Sequence, residues 1–507
     1  MSTLTAQLLR RRLAAIAAGA AALALAAGAG PAAAQARSPA GSPGGARAVS
    51  AGTWGTAKEV PGTAVLNTGG NAALQAVSCS SAGNCSAGGY YNVGAEVFVV
   101  SEVNGTWHQA IEVPGSAALN TGGGAQINSV SCASAGNCTA GGWYTVSSGD
   151  VQAFVVSQVN GTWHQAKPVA MALNQGGGGA VQSVSCASAG NCSAGGTYNA
   201  GSAGGFVQGA FVVSEVNGIW GTAKQVPGTA ALNGGGNANV TSVSCASAGN
   251  CSAGGWYTAG GASFPQEAFV VTQTGGTWGT AKEVPGTAAL NKTGFAVVNS
   301  VSCTSPGNCT AGGEYNDASD RGQAFAVTQT SGTWATAKEV PGTGALNQGG
   351  GAGVSGAAVT SVSCRSAGNC SAGGQYKDSA GHFQVFVVTK TNGTWHTAIE
   401  VPGFATLNAG GSGAIGSAGI APVSCASAGN CSTGGNYTDN SGHGQVFVDS
   451  QTNGIWGTAE QVPGTAALNT GGFAEMFSVS CAPAGTCSAG GFYQSPGGLQ
   501  AFVVNKT

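Results

Sequence analysis

Sixteen cysteines fall into eight pairs, and five residues separate the partners of every pair. The pairs are Cys79/Cys85, Cys132/Cys138, Cys186/Cys192, Cys245/Cys251, Cys303/Cys309, Cys364/Cys370, Cys425/Cys431 and Cys481/Cys487. Three chemistries compete for such a pattern: metal binding, redox exchange and structural cross-linking. A zinc site wants four ligands, whereas each pair stands alone with no accompanying histidine. Alternating apolar and small polar residues lead into each pair, as in S-V-S-C-A-S-A-G-N-C-S-A-G-G at residues 183–196. That pattern puts the two cysteines at the facing ends of adjacent antiparallel strands. A non-hydrogen-bonded pair there brings the Cα atoms close enough for a disulfide. We therefore expect eight structural disulfides, each closing a small ring worth about 2 kcal/mol as a ceiling. No metal site and no cofactor are expected.

The second group of candidates lies where the repeat varies. Gly-Gly-x-Tyr follows each second cysteine, and x is Tyr90, Trp143, Thr197, Trp256, Glu314, Gln375, Asn436 and Phe492 in turn. Downstream loops in the fifth to seventh units carry Asp317, Asp320, Arg321, Asp378, His382, Asp439 and His443. Tyr90, Trp143, Trp256 and Phe492 could form an aromatic arc beside Glu314, Asp317, Asp378 and Asp439. Aromatic platforms beside hydrogen-bonding groups suit a carbohydrate; drift in solvated loops would leave the same residues without a role. Paired carboxylates are also what a glycosidase needs. However, no nucleophile elbow, zinc-protease helix motif, phosphate loop or dinucleotide fingerprint is present. His108, His164 and His396 follow tryptophans and read as exposed positions of an outer strand. Asn-Gly-Thr and Asn-Cys-Ser match the glycosylation triplet, but asparagine and glycine are also what tight turns require.

Short strands must position these residues. Each unit of 53 to 61 residues offers four. One ends at the first cysteine, and one runs from the second cysteine to the tyrosine. A third holds Ala-Phe-Val-Val or a close variant, a strong β signal. An Asn-Gly turn usually leads to the fourth, which holds tryptophan and then Val-Pro-Gly. Lysine, glutamate and proline in the fourth strand suit an outer edge. Trp54, Trp107, Trp163, Trp220, Trp278, Trp334, Trp395 and Trp456 read as core between units. Four antiparallel strands repeated eight times predict an all-β, eight-bladed β-propeller. The phase says how the ring closes. A lone tryptophan strand opens the repeat region, and a third-type strand at residues 501–504 ends it. The N-terminal strand is therefore expected to complete the last blade.

Gly-Gly at the end of the second strand, an aromatic in the third, Asn-Gly-Thr-Trp opening the fourth and the proline after it resemble the kelch type of propeller repeat. The resemblance covers about half of each unit. The cysteine pairs depart from it, and the whole unit resembles repeats of secreted actinobacterial proteins of unassigned function. It implies a fold and no activity.

The 507 residues include 90 glycines, and only 7% are charged. An apolar content of 42% with regular tryptophans argues against disorder. Arg10, Arg11 and Arg12, the apolar stretch at residues 13–30 and Ala34-Gln35-Ala36 read as a secretory signal peptide over residues 1–36. The apolar stretch is also of borderline length for an anchor. Residues 37–50 read as a flexible linker and residues 51–507 as the propeller. Losing residues 1–36 deepens the acidic excess, which speaks against nucleic acid as a partner. No later stretch is apolar enough to span a membrane. Paired cysteines fit an oxidising compartment. The expectation is a monomeric, non-catalytic, secreted or cell-envelope scaffold that binds glycan or an extracellular protein. A glycoside hydrolase or lyase on the same ring, and a purely structural envelope protein, are the alternatives.

Overall fold

The computed structural model describes residues 52–201, 207–261, 263–350, 356–411 and 422–507. The expected signal peptide and linker lie outside these residues. Eight antiparallel sheets follow one another along the chain, each a blade of the expected propeller. In the first blade the strands are Ala73–Ser81, Asn84–Tyr91 and Glu96–Val103, followed by a fourth in two pieces, Thr106–Trp107 and Ile111–Glu112. The first strands of neighbouring blades touch at every seam, so they form the inner ring. The last blade consists of Ala474–Cys481, Cys487–Ser495 and Gly498–Lys506, and its fourth strand is Lys58–Glu59. Lys58 pairs with Val503 and Glu59 with Phe502, so the N-terminal strand closes the ring as expected.

The fourth strand is broken because its register slips. Trp107 faces Glu102, but Ile111 faces Val99, one residue out of step. Between the pieces, the Ala110 N–H turns away and donates to the Pro61 carbonyl of the neighbouring blade at 2.7 Å. The same Ala-to-Pro bond recurs at six further seams, from Ala57, Ala166, Ala281, Ala337, Ala398 and Ala459. Between the second and third blades, Lys167-Pro168-Val169-Ala170 replaces the usual Val-Pro-Gly, and Ala170 takes φ 61° where glycine otherwise stands.

All eight expected disulfides form: Cys79–Cys85, Cys132–Cys138, Cys186–Cys192, Cys245–Cys251, Cys303–Cys309, Cys364–Cys370, Cys425–Cys431 and Cys481–Cys487. Their Cα atoms lie 3.8–4.0 Å apart. Their place in the strands differs from the expectation. In seven blades the cysteines lie inside the strands and not at their ends. Cys85, Cys138, Cys192, Cys251, Cys309, Cys370 and Cys431 each follow an asparagine that already belongs to the second strand. That asparagine pairs with the serine two residues after the first cysteine, as Asn84 does with Ser81. In the last blade Pro483 and Thr486 stand at those two positions. Proline has no N–H to offer the extra rung, and there the strands do end at Cys481 and Cys487.

Inner strands are sheet edges, so their outward N–H groups need partners from outside the blade. The serine before each first cysteine supplies one. Ser480 accepts from the Cys79 N–H, Ser78 from Cys132, Ser131 from Cys186, and so on through all eight seams at 2.9–3.0 Å. A second series uses the serine two residues earlier, as from the Val184 N–H to Ser129 Oγ at 3.0 Å. It runs through six seams and lapses where Ala76 and Pro422 replace that serine.

Hydrophobic cores sit in the seams. That between the third and fourth blades combines Ala210 and Val212 of one with Val240, Val243, Tyr257 and Phe269 of the next. The third-strand phenylalanines, Phe98 to Phe502, are all fully buried. Gly-Gly is what lets the blades close on one another. A Cβ on Gly195 would sit 2.6 Å from Val240 of the next blade, and one on Gly196 would sit 1.9 Å from the Ala180 carbonyl oxygen. The fourth-strand tryptophans border these cores, and Trp54, Trp163 and Trp456 are buried. Trp163 and Trp220 donate through Nε1 to Ser101 and Ser157 of the preceding blade. His108, His164 and His396 are exposed, as expected.

Candidate functional site

The cysteines offer no free thiol for metal binding or for redox exchange. Every one is spent in a disulfide, and all but the partly exposed Cys364 are buried. Cys85, Cys138, Cys192, Cys251 and Cys431 are closed in by the preceding blade. Their sulfurs lie against the hydroxyls of Ser488, Ser86, Thr139, Ser193 and Ser371 at 3.2–3.5 Å. They are cross-links packed into the seams, and the candidate site has to be built from other residues.

The variable position of Gly-Gly-x-Tyr lies near the end of the second strand, opposite the first strand of its own blade. Tyr90 faces Ala73, Trp143 faces Gln126, Trp256 faces Asn239 and Glu314 faces Val297. Strand alternation sends the following tyrosine (Tyr91, Tyr144, Tyr257, Tyr315) into a seam core and the variable side chain to the opposite face. Tyr90, Trp143, Trp256, Glu314 and Gln375 are half-buried there, whereas Thr197, Asn436 and Phe492 are buried. Phe492 packs edge-on against Phe473, with ring centroids 5.3 Å apart, and tilted against Phe477 at 5.6 Å. It is a packed aromatic and not an open platform.

Beside this position the first strand carries a bulge. Gln75, Asn128, Gln182, Thr241, Asn299, Thr360 and Phe477 fall at the register shift and pair with nothing in their own ladder. Several reach across to the next inner strand instead. Asn128 Nδ2 donates to the Val181 carbonyl at 2.8 Å, and Asn299 Nδ2 to Val359 at 3.0 Å. The Thr241 hydroxyl donates to Val298 in the same way. The bulge residues, the variable positions and the first-strand partners of those positions together make a ring of amides, aromatics and two carboxylates.

Those carboxylates are Glu314 and Glu475. Burial pushes Glu314 up to about 7, against a lowering hydrogen bond with Asn299. Burial also pushes Glu475 up to about 7. Across the seam between the last and first blades, burial raises the Tyr90 phenol and the Glu475 charge adds to the effect. Glu475 faces Phe492 in its own blade. The only advance sign of it was a charged residue inside an otherwise apolar first strand.

The aspartates have a different place. Asp317 Oδ1 accepts from the Ser319 and Arg321 N–H groups at 2.7 and 3.2 Å, and Oδ2 accepts from Gln323 at 2.9 Å. Arg321 closes an ion pair with it at 3.3 Å. Asp378 repeats this pattern with Ala380, His382 and Gln384, and Asp439 with Ser441, His443 and Gln445. Burial acts to raise all three carboxyls. The side-chain and backbone hydrogen bonds, helped by Arg321, His382 or His443, outweigh it and hold them below the usual range. Each aspartate therefore caps the loop of its own blade. Among the described residues, no three His, Cys, Asp or Glu side chains gather as a metal site would need.

No protein-family model matches the chain, and no curated protein matches it in sequence. Solved structures that superpose on it include a Hadza microbial sialidase, Hz136, at 13% identity and TM-score 0.34, over 62% of this chain and 63% of that one. Trypanosoma rangeli sialidase in complex with the inhibitor DANA gives 11% identity and TM-score 0.35, over 73% and 53%. A subtype N11 neuraminidase-like protein of A/flat-faced bat/Peru/033/2010 gives 12% identity and TM-score 0.35, over 89% and 90%. The chain thus spans about half to six tenths of the two sialidases. At such scores the likeness carries nothing about activity or ligand.

Proposed function

We propose that the protein is a secreted or cell-envelope binding propeller, without catalytic activity of its own, that takes a glycan on the inner-ring face. One observation carries this reading. Tyr90, Trp143 and Trp256 are large flat aromatics left half-buried beside the bulge residues Gln75, Asn128 and Thr241, while the neighbouring tyrosines fill the seams. Aromatic faces with adjacent amides offer a sugar both its apolar face and its hydroxyls a partner. Eight disulfides fit an oxidising, extracellular setting. The aspartates that could have served as a catalytic pair are engaged in their own loops.

The test is a glycan and cell-wall polysaccharide array probed with the wild type and with a variant carrying Trp143→Ala and Trp256→Ala. Binding by the wild type that the variant loses supports the reading. Binding that survives in the variant overturns the site, and no binding to any glycan overturns the ligand class in favour of a protein partner. A second reading rests on Glu314 and Glu475. Carboxyls titrating near 7 can donate a proton at neutral pH, as a glycoside-cleaving acid must. Release of reducing ends from an array-positive polysaccharide, lost in both Glu314→Gln and Glu475→Gln, would favour the enzyme.

A further inference from the structure

The opposite face of the ring, where the cysteine hairpin turns and the Asn-Gly turns emerge, carries a second feature. Near the end of each third strand one polar residue points into the seam toward the preceding blade. The series is Glu102, Gln158, Glu215, Gln273, Gln329, Lys390, Gln451 and Lys506, and every member is buried. Each reaches hydroxyls on the preceding blade. Gln329 Nε2 donates to Thr272 at 2.8 Å and Gln451 Nε2 to Thr389 at 2.7 Å. Six of the eight are neutral or acidic, and Lys506 has the buried Asp449 carboxylate acting on it. Lys390 differs. It is 2% exposed, and its Nζ donates to Thr328 at 2.5 Å and Thr310 at 3.5 Å. The Trp395 ring lies 5.6 Å from Nζ. No carboxylate forms an ion pair with it among the described residues.

The seam at Lys390 is also open where two of its counterparts are nearly closed. Between the fifth and sixth blades lies a cavity of about 320 Å³. The corresponding spaces at Glu215 and at Lys506 hold about 10 Å³ each. Small-molecule sites begin at roughly 300 Å³. The lining joins Lys390 to hydroxyls and amides, among them Thr304, Thr310, Thr328, Thr330 and Asn308, and to the Cys364–Cys370 disulfide, and it contains no acidic residue. Ala367 and Gly393 stand exposed at its rim. A buried ammonium without a counter-ion is costly, and a bound anion removes that cost. Burial lowers the Lys390 pKa, the direction that a bound anion reverses.

We propose that this cavity binds a small hydroxylated monocarboxylate, a sugar acid of the uronate type. Its carboxylate sits on Lys390 Nζ and its hydroxyls on the threonine and asparagine lining. A single cation matches a single negative charge, the threonines and Asn308 offer hydrogen bonds, and the Cys364–Cys370 disulfide and Ala367 offer apolar surface to the carbon skeleton. This site is separate from the inner-ring face and does not depend on the glycan reading.

The test is titration calorimetry of the full chain with sodium glucuronate, with glucose and sodium sulfate as parallel arms. Lys390→Gln is the decisive variant. Glutamine occupies the same position in four other blades, so the substitution keeps the seam. We expect glucuronate to bind at least tenfold more tightly than glucose or sulfate. Lys390→Gln should lose at least tenfold in affinity, while Lys506→Gln and the Trp143/Trp256 variant keep it. No glucuronate binding, sulfate binding as tight as glucuronate, or an unchanged Lys390→Gln would each overturn the proposal.

Discussion

Asp449 stands where the other seven third strands carry valine: Val100, Val156, Val213, Val271, Val327, Val388 and Val504. It is 3% exposed. One oxygen accepts from the Ser450 N–H at 2.6 Å, and the other has no hydrogen-bond partner among the described residues. Burial is the largest influence on the carboxyl and pushes it up to about 6 from an ordinary 3.8. Hydrogen bonds from the Ser450 and Gly457 N–H groups and the Lys506 charge act the other way. The folded state therefore holds the proton more tightly than the unfolded chain. Between about pH 4 and 6 the native protein binds more protons, so stability from this group is complete at low pH and falls as pH rises through 6. The gap between 3.8 and about 6 corresponds to about 3 kcal/mol. Asp449→Val removes the titration and restores the side chain used at the other seven positions. It also leaves Lys506 Nζ with the Ser432 hydroxyl, 3.4 Å away, as its one side-chain hydrogen bond among the described residues. That loss offsets part of the gain at every pH, so the pH dependence is the diagnostic quantity. Urea unfolding followed by tryptophan fluorescence, with disulfides intact, should show the variant gaining on the wild type by about 2–3 kcal/mol between pH 3.5 and pH 8. Asp449→Asn should follow the same pH profile as the valine variant at lower stability. A difference between wild type and Asp449→Val that stays constant from pH 3.5 to 8 would refute the assignment of a raised carboxyl.

Two further expectations concern the seams and the cross-links. Ser185→Ala strips the Cys245 N–H of its partner inside a buried seam, and the unfolding free energy should fall by about 1–3 kcal/mol in the same urea assay. An unchanged midpoint would mean that water replaces the hydroxyl there. The native protein should show no reactive thiol toward a chromogenic disulfide reagent and sixteen after reduction in denaturant. Fast-reacting thiols in the native state would contradict the eight disulfides.

Much of the ring is legible in the sequence, because repetition makes the same statement eight times. Alternation around Val184 and Cys186 marked a strand, the Asn217-Gly218 turn marked a hairpin, and the unmatched tryptophan strand at Trp54 told how the ring closes. What stayed hidden involves partners in other blades. Ser185 reads as a small polar residue in a strand. Its purpose is visible only once the Cys245 N–H of the next blade lies against it. Pro61 reads as a tolerated edge residue, whereas its carbonyl is the acceptor that ties the outer strands together. The extra rung beyond Cys85 and its counterparts was hidden too, because Ser-Ala-Gly-Asn reads as turn throughout. The candidate site was legible only in part. The alternation that buries Tyr144 places Trp143 on the opposite face, so the aromatic positions could be located. The aspartate loops could not be separated from a ligand-binding arc by residue type alone. The Asp-x-x-x-Arg and Asp-x-x-x-His spacings, each followed two residues later by glutamine, are the trace of their capping role. In the sequence Lys390 is one more polar residue near a strand end, and cavity volume leaves no mark there.

Closure of the ring by Lys58–Glu59 has a consequence for how the molecule is made. The partner of this strand, Gly498–Lys506, is the last strand in the chain. During synthesis the opening strand must wait, unpaired, until Gly498–Lys506 has been made. Until then it presents an open edge, and so does the last blade of any other copy nearby. The strand of one molecule can complete the ring of a second without any change in local contacts, giving strand-exchanged dimers whose abundance rises with the concentration of newly made chains. Only proximity favours the correct partner: within one chain the two ends already lie together, with the Thr507 N–H on the Thr53 carbonyl at 3.1 Å.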